Sequence, residues 1–422
     1  MKYFNININK DFFILGSGIV LKLLITIINS RLITFYLNES NLTSFYLVIS
    51  IYSFFSLGFV NPLNLFFTKY LFTFHKKNHL FEAFYFLFKK FLIMPLLLYV
   101  LVLIYYYSFN DFEYFLIAIL IIYLISKSLN DTLFSVFNIV ERNKRFVFLV
   151  NLNLFLSIVL SFLFIQVFEI NYINWFIGIV ASQIIMMIIG TNLYINTYKK
   201  DFLINNKEVF NPENYNLSNK NYYFFIITNL LGWFFIKGYK LFFDFYLDKE
   251  ILINFLIGFI LASQVISTVE SFNQQLNAPK FLQIVNKNDE NILLDTFLVM
   301  LKKSIFILTL AFIVFFIFDK IIINILVDSS KINKEVFYYF KIGLCYATIN
   351  ALFNIFKLLF MTKFELKKIF ISFFAGIMIF ILLFNIWSEV NFAVILLIGL
   401  LFSKLILVSY YLRNFYKIKN EI

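Results

Sequence analysis

Long apolar runs are the feature that most limits what this chain can fold into. Twelve segments of about 18 or more residues are predominantly apolar and are separated by short polar connections. They lie at 12–31, 43–66, 91–109, 113–138, 146–168, 172–194, 222–243, 251–278, 303–319, 336–360, 369–387 and 391–411. Because hydrocarbon supplies no hydrogen bonds, segments that cross it must be helices or a closed barrel. Barrel strands alternate apolar and polar residues over about 10 residues, so these unbroken runs favour helices. The sequence predicts an all-α integral membrane protein with twelve transmembrane helices, and 61% hydrophobic residues exclude a soluble fold.

The Lys and Arg residues fall on alternate connections of this arrangement. One side carries most of the 36 basic residues, whereas the other carries only Arg31, Lys249, Lys320, Lys331 and Lys334. Such an asymmetry is the positive-inside signature, so we expect both termini to be cytoplasmic. The net charge of +12 then reflects topology and contact with anionic headgroups of the lipid bilayer, and it does not indicate a nucleic-acid partner.

Few residues in the chain suit a cofactor or a catalytic centre. The single cysteine, Cys345, excludes an intrachain disulfide and a cysteine-based metal cluster. His75 and His79 are four residues apart, but they flank Lys76 and Lys77 in a basic loop that would repel a metal ion. No GxxxxGK[ST] phosphate-binding motif is present, so the chain carries no ATPase of its own. We therefore expect neither a cofactor, nor a metal, nor an enzymatic activity.

The two halves of the chain repeat each other at a shift of about 210 residues. The shift places Asn9-Lys10 on Asn219-Lys220 and 35–38 (Phe-Tyr-Leu-Asn) on 245–248 (Phe-Tyr-Leu-Asp). An even number of spans in each half makes the repeats parallel, as in transporters that alternate access around a cavity. We expect an N-terminal six-helix lobe at 1–200, a cytoplasmic inter-lobe linker at 201–220 and a C-terminal six-helix lobe at 221–422.

Lysines outnumber acids within the predicted spans. The lysines are Lys22, Lys127, Lys237, Lys240, Lys341, Lys357 and Lys404, whereas the acids that lie clearly inside spans, away from their limits, are Asp131 and Glu270. A charge near the bilayer centre costs about 2.5–3.5 kcal/mol on insertion scales, so it should face a cavity or a partner. Lys22, Lys237, Lys240, Lys404 and Lys127 are therefore candidates for a cationic, substrate-binding cavity.

Some of these lysines have a simpler explanation. Lys127 and Asp131 are four residues apart on one helix face, where they can form a structural ion pair. Lys341 and Lys357 lie near span ends, and we expect them to extend to the interface.

Span eight carries a polar stripe. Ser263, Ser267, Glu270, Gln274 and Asn277 follow spacings of four, three, four and three, which place them on one helix face. Hydroxyls and amides on that face can hydrogen-bond sugar hydroxyls, or they can form a polar seam between helices. The carboxyls of Glu270 and Asp131 are candidates for ion or proton coupling.

Several short segments resemble a known family. They are the end of span one, Ser30-Arg31-Leu32-Ile33 with Tyr36-Leu37; the end of span two, Leu57-Gly58-Phe59 with Asn61-Pro62; Ala278-Pro279 after span eight; and the basic turns after spans four and ten. With the twelve spans and the repeat, the chain resembles the polysaccharide transporters of the multidrug/oligosaccharidyl-lipid/polysaccharide exporter superfamily, and more narrowly its O-antigen, or lipid-linked oligosaccharide, flippases.

The resemblance implies a fold and a function. It implies a V-shaped, MATE-like pair of six-helix bundles in the bacterial inner membrane, with a cationic lumen. It also implies translocation of an undecaprenyl-pyrophosphate-linked glycan to the outer leaflet, coupled to an ion gradient, alongside a glycan polymerase and chain-length machinery.

Two other functions remain open at the level of sequence. Related drug exporters often carry an acid in span one, whereas this span carries Lys22, which would repel an organic cation. A membrane-embedded glycan polymerase generally needs a large outer loop, and the outer connections here are short.

Overall fold

The computed structural model describes residues 8–90, 114–139, 143–203, 219–285, 290–362, 365–386 and 391–420. Within these ranges every regular element is helical and no strand occurs, which confirms the expected all-α class. Ten of the helical segments in the described residues are long and apolar enough to cross a membrane, so the chain is a multi-pass membrane protein.

The chain divides into two compact units. Unit 1 comprises Met1–Tyr222 and Ala278–Asn286, and unit 2 comprises Tyr223–Asn277 and Lys287–Ile422. The helices that lie in unit 1 are α1 (Ile8–Tyr36), α2 (Glu39–Phe55), α3 (Asn61–Lys76), α4 (80–90), α5 (Tyr114–Ile139), α6 (Asn143–Val167) and α7 (Tyr172–Leu203), with a π-helical turn at Ser56–Val60 between α2 and α3.

Unit 2 contains the remaining helices, apart from the first residues of α8 and the last residues of α10. They are α8 (Asn219–Trp233), α9 (Tyr239–Tyr246), α10 (Lys249–Val285), α11 (Glu290–Ile317), α12 (Asp319–Leu326), α13 (Lys334–Thr362), α14 (Leu366–Ile386) and α15 (Phe392–Asn420). A π-helical turn at Phe234–Gly238 joins α8 to α9, and a 3₁₀ turn at Ser329–Lys331 precedes α13.

Two of the twelve expected spans are not among the ten apolar helices. The third, 91–109, lies outside the described residues. The seventh, 222–243, is helical through α8 and α9 and carries Lys237 and Lys240, but it is not among these ten helices. The second expected span is part of a longer apolar helical run at Glu39–Lys76.

Polar side chains fix several helix ends. Asn38 caps α2, because its Oδ1 accepts a hydrogen bond from the backbone N–H of Asn41 at 2.9 Å. Asn78 follows α3 with a φ of 57°, a left-handed conformation that asparagine adopts more readily than most residues. This residue turns the chain from α3 into α4.

Small residues allow the helices of unit 1 to pack closely. Gly178 of α7 lies against the backbone of Ser161 on α6, where any larger residue would collide. The Ser161 hydroxyl donates to the carbonyl oxygen of Trp175 at 2.8 Å. Close approach through small residues and interhelical hydrogen bonds are the forces that associate helices in lipid, since burial from water contributes little there.

Unit 2 has an aromatic core around the π-helical turn. Phe235 in this turn is fully buried, and its backbone carbonyl accepts a hydrogen bond from the Tyr346 hydroxyl. Tyr239 packs edge-on against Tyr346 and Phe259, with ring centres 6.1 and 5.5 Å apart. The hydroxyl of Tyr346 therefore satisfies a carbonyl in a turn that departs from regular α-helical hydrogen bonding.

Candidate functional site

Unit 1 places three of the predicted charged residues together. Lys127 and Asp131 form an ion pair along α5, as their i,i+4 spacing predicts. Lys22 of α1 lies near enough to Lys127 for the two ammonium groups to repel each other. The result is a cluster of two cations and one anion whose side chains are partly exposed.

Two tyrosines border this charged cluster. The rings of Tyr52 on α2 and Tyr123 on α5 are 4.4 Å apart, and both lie within electrostatic range of Asp131. The Tyr52 side chain also hydrogen-bonds Ser56, the first residue of the π-helical turn. Aromatic rings with polar tips can contact both the apolar and the polar parts of a ligand.

A buried amide network fixes the helices around the cluster. Asn130 of α5 donates through Nδ2 to the backbone oxygen and to Oε1 of Gln183 on α7, both at 2.9 Å. Gln183 in turn donates to Oδ1 of Asn153 on α6 at 3.0 Å. Sequence reasoning missed this network, although an amide in the middle of an apolar span is itself a signal of a polar partner.

Unit 2 buries two lysines almost completely. Lys240 at the start of α9 and Lys404 on α15 are each 1% exposed. Lys237 lies within hydrogen-bonding distance of Lys240, so the π-helical turn places two cationic side chains together. The ammonium nitrogen of Lys404 lies 5.0 Å from the ring centre of Phe373 on α14, a cation–π arrangement.

Glu270 on the polar stripe of α10 connects two helices. Its Oε1 accepts hydrogen bonds from Nε2 of Gln274 at 2.7 Å and from Nδ2 of Asn354 on α13 at 2.9 Å. Asn354 was not a sequence candidate, because nothing local in the sequence relates it to Glu270. Glu270 and Gln274 therefore contribute to a polar seam between α10 and α13.

The other members of the stripe bond within α10. The hydroxyls of Ser263 and Ser267 donate to the carbonyl oxygens of Phe259 and Gln264, and Nδ2 of Asn277 donates to the side-chain oxygen of Asn273 at 2.8 Å. Each of these side chains keeps some exposed surface. Contacts of the stripe with a glycan stay a prediction.

Lys341 also has an ion-pair partner that the sequence did not indicate. Its Nζ lies 3.2 Å from Oδ2 of Asp319, a nearly buried acid at the start of α12, while 46% of the Lys341 side chain is exposed. Its extension to the interface stays a prediction. A buried carboxylate is costly without a partner, and Lys341 supplies one. The side chain of Lys357 lies outside the described residues.

The comparisons with known proteins show the fold. No family model matches the chain, and no curated protein matches it. Solved structures of MATE transporters do match over nearly the whole chain. The eukaryotic transporter AtDTX14 has a TM-score of 0.67 with 14% identity, covering 95% of this chain and 94% of its own. The Vibrio cholerae transporter VcmN, solved as a mutant, has a TM-score of 0.67 with 11% identity, covering 98% and 96%.

A third solved structure also has the same fold as this chain. An outward-facing transporter described as belonging to the multidrug resistance MATE family of the MOP superfamily has a TM-score of 0.63 with 11% identity, covering 98% of this chain and 95% of its own. At these identities the likeness establishes the fold alone. The chain therefore has the MATE-like fold, which confirms the fold class expected from its sequence.

Proposed function

We propose that this chain is an ion-coupled membrane exporter that works by alternating access. The MATE-like fold supports the proposal, since the solved structures that share it over nearly their full length are described as transporters. No catalytic step is part of it. The proposal also places both termini in the cytoplasm, where the basic connections lie.

The cargo in this proposal is anionic. The observation that carries this choice is the burial of Lys240 and Lys404 in unit 2, together with Lys237 beside Lys240. The predicted spans of unit 2 contain two acids: Glu270, and Asp319 at the end of span nine, which pairs with Lys341. A cationic interior of low polarity attracts anions strongly, because water screens the charges little there.

A lipid-linked oligosaccharide is the specific anionic cargo that we propose. The pyrophosphate of an undecaprenyl-linked glycan would be balanced by the lysines, and the exposed parts of the polar stripe on α10 would contact sugar hydroxyls. The chain would then act in a bacterial inner membrane, beside the polymerase and chain-length proteins that use the translocated unit.

Export of a small molecule is the second candidate, and a specific observation favours it. The solved structures with this fold include a multidrug resistance transporter. In unit 1 the charge of Lys127 is offset by Asp131, so this unit is less cationic than its lysines alone suggest. On fold alone, the drug exporter is better supported than the flippase.

Deletion of the gene separates the two cargoes. Mass spectrometry of polyprenyl-linked intermediates should show accumulation of a complete repeat unit that stays inaccessible from the outer face. Normal intermediates together with increased sensitivity to cationic drugs would contradict the flippase and support the drug exporter. A unit that accumulates already facing outward would contradict export altogether and indicate a polymerase.

Lysine variants test whether the cargo is negatively charged. We expect Lys22→Ala combined with Lys237→Ala to lower transport of the acidic cargo while expression is retained. Unchanged transport would contradict the cationic cavity.

A further inference from the structure

A groove on unit 1 has no role in the proposed transport. It has a volume of about 460 Å³ and lies between α4, α5 and α7. Its walls are the rings of Phe81, Phe84, Tyr85 and Phe88 on α4, with Ile188 among the facing residues of α7. Phe81, Tyr85 and Ile188 are exposed, so the groove lies at the surface of a protein whose apolar helices are long enough to cross a membrane.

The amphipathic character of α4 builds this groove. Phe81, Tyr85 and Lys89 follow each other at four-residue steps and form an exposed face, whereas Ala83 and Leu87 are buried. The exposed face of 80–90 therefore combines two aromatic rings with the ammonium group of Lys89.

The helix is fixed in place by α7. The Tyr194 hydroxyl donates to the backbone oxygen of Leu80 at 3.3 Å, and the rings of Tyr194 and Phe84 have centres 5.3 Å apart. Both contacts are buried or half-buried. The aromatic wall of the groove is therefore a formed surface.

A cationic group contacts one wall residue of the groove. The Lys89 ammonium nitrogen is 4.5 Å from the ring centre of Tyr85, and the next residue, Lys90, has its ammonium nitrogen 5.7 Å from the ring centre of Phe86, which neighbours Tyr85 in the chain. Thr191 and Asn192 of α7 add a hydroxyl and an amide to the lining. An apolar groove with a cation and hydrogen-bonding groups at its edge is complementary to a lipid whose acyl chain is apolar and whose headgroup carries a phosphate.

We propose that this groove binds an anionic diacyl phospholipid of the leaflet next to Lys89 and Lys90. One acyl chain lies along the rings of α4, and the phosphodiester lies against the two ammonium groups. The lining named above holds no acid and no second cluster of polar groups, which favours an acyl chain over a polar solute. The site is distinct from the lysines of unit 2 and does not rest on either proposed cargo.

Titration of the purified full-length protein in detergent with phosphatidylglycerol or phosphatidylcholine, read by native mass spectrometry, tests the site. We expect Lys89→Gln combined with Lys90→Gln to weaken phosphatidylglycerol binding about 30-fold, which corresponds to about 1 kcal/mol for each lysine near an anionic surface. Lys89→Arg combined with Lys90→Arg should bind like the wild type, because the charge is kept.

Two further variants locate the lipid. Thr191→Trp should fill the groove and weaken phosphatidylglycerol binding while the melting temperature is unchanged. Lys302→Gln combined with Lys303→Gln is the matched control, since these adjacent lysines are exposed on α11 of unit 2. It should leave binding unaltered.

Several results would overturn the proposal. Equal binding of phosphatidylcholine and phosphatidylglycerol would exclude selection of a headgroup with net negative charge, because both lipids carry the phosphodiester. An equal loss in the Lys302 and Lys303 control would reduce the effect to general surface charge. Tighter binding of undecaprenyl phosphate than of phosphatidylglycerol would assign the groove to a polyprenyl chain, and dimerisation blocked by Thr191→Trp would assign it to a second copy of the chain.

Discussion

The close contact between α6 and α7 leads us to expect that Gly178→Ala destabilises the protein. A Cβ added there would lie 2.6 Å from the carbonyl carbon of Leu160 and closer still to the backbone of Ser161, whereas ordinary contacts are 3.4–4 Å. The neighbouring atoms belong to the backbone and cannot rotate away, so α6 must move back by about 1 Å. We expect the cost in stability to lie at the upper end of the usual range for overpacking, which is about 1–3 kcal/mol.

Two smaller effects complete the estimate. Retreat of α6 lengthens the bond from Ser161 to Trp175, which is worth about 1 kcal/mol. Alanine is favoured over glycine in a helix by about 1 kcal/mol, which offsets that loss. We expect Gly178→Ala to lower the free energy of unfolding by about 3 kcal/mol and, for a chain of 422 residues, the melting temperature by about 3–4 °C.

Gly16 provides the matched control within the same unit. A Cβ at Gly16 of α1 meets nothing within 4 Å, so Gly16→Ala should keep the helix-propensity gain and melt at the wild-type temperature or slightly above it. Both variants would be purified in one detergent and melted side by side with tryptophan fluorescence. If Gly178→Ala melts as high as Gly16→Ala, then α6 and α7 do not approach as closely as described.

Three other predictions concern the charged residues. A double-mutant cycle with Lys127→Gln and Asp131→Asn should give a coupling of about 1–2 kcal/mol in unfolding, because side chains that are 28% and 43% exposed lie between a surface pair and a buried pair; purely additive losses would refute the pair. Glu270→Gln keeps an acceptor oxygen for Asn354, so expression should persist, while transport should lose its dependence on the proton or sodium gradient; an unaltered gradient dependence excludes Glu270 from coupling. Lys404→Met should cut uptake of acidic cargo into inverted vesicles at least tenfold at an unchanged melting temperature, and a wild-type rate would show that this buried cation does not act on the cargo.

Local patterns in the sequence were enough for the helices and for contacts within one helix. Unbroken apolar runs indicated the spans, and the four-residue spacing of Lys127 and Asp131 gave their ion pair. The ion pair between Lys341 and Asp319 was not predicted, because the two residues belong to different helices and no local spacing relates them.

Contacts between helices that are far apart in the chain could not be predicted from local spacing in the sequence. Asn354 and Glu270 are 84 residues apart in the chain. Which polar residue of α13 contacts Glu270 depends on how α13 is rotated about its own axis, and the sequence does not show that rotation. The π-helical turns at Ser56–Val60 and Phe234–Gly238 each insert an extra residue, which rotates every side chain that follows. A face assigned with the α-helical period alone therefore becomes wrong beyond such a turn.

The ion pair on α5 also bears on how the protein enters its membrane during synthesis. Lys127 and Asp131 are one helical turn apart, so they can meet as soon as this segment coils, before any other helix is present. Inserted singly, each charge would cost about 2.5–3.5 kcal/mol at mid-membrane, whereas a paired segment enters as a neutral dipole. Substitution of either residue alone should therefore lower the efficiency with which the translocon inserts α5 into the membrane.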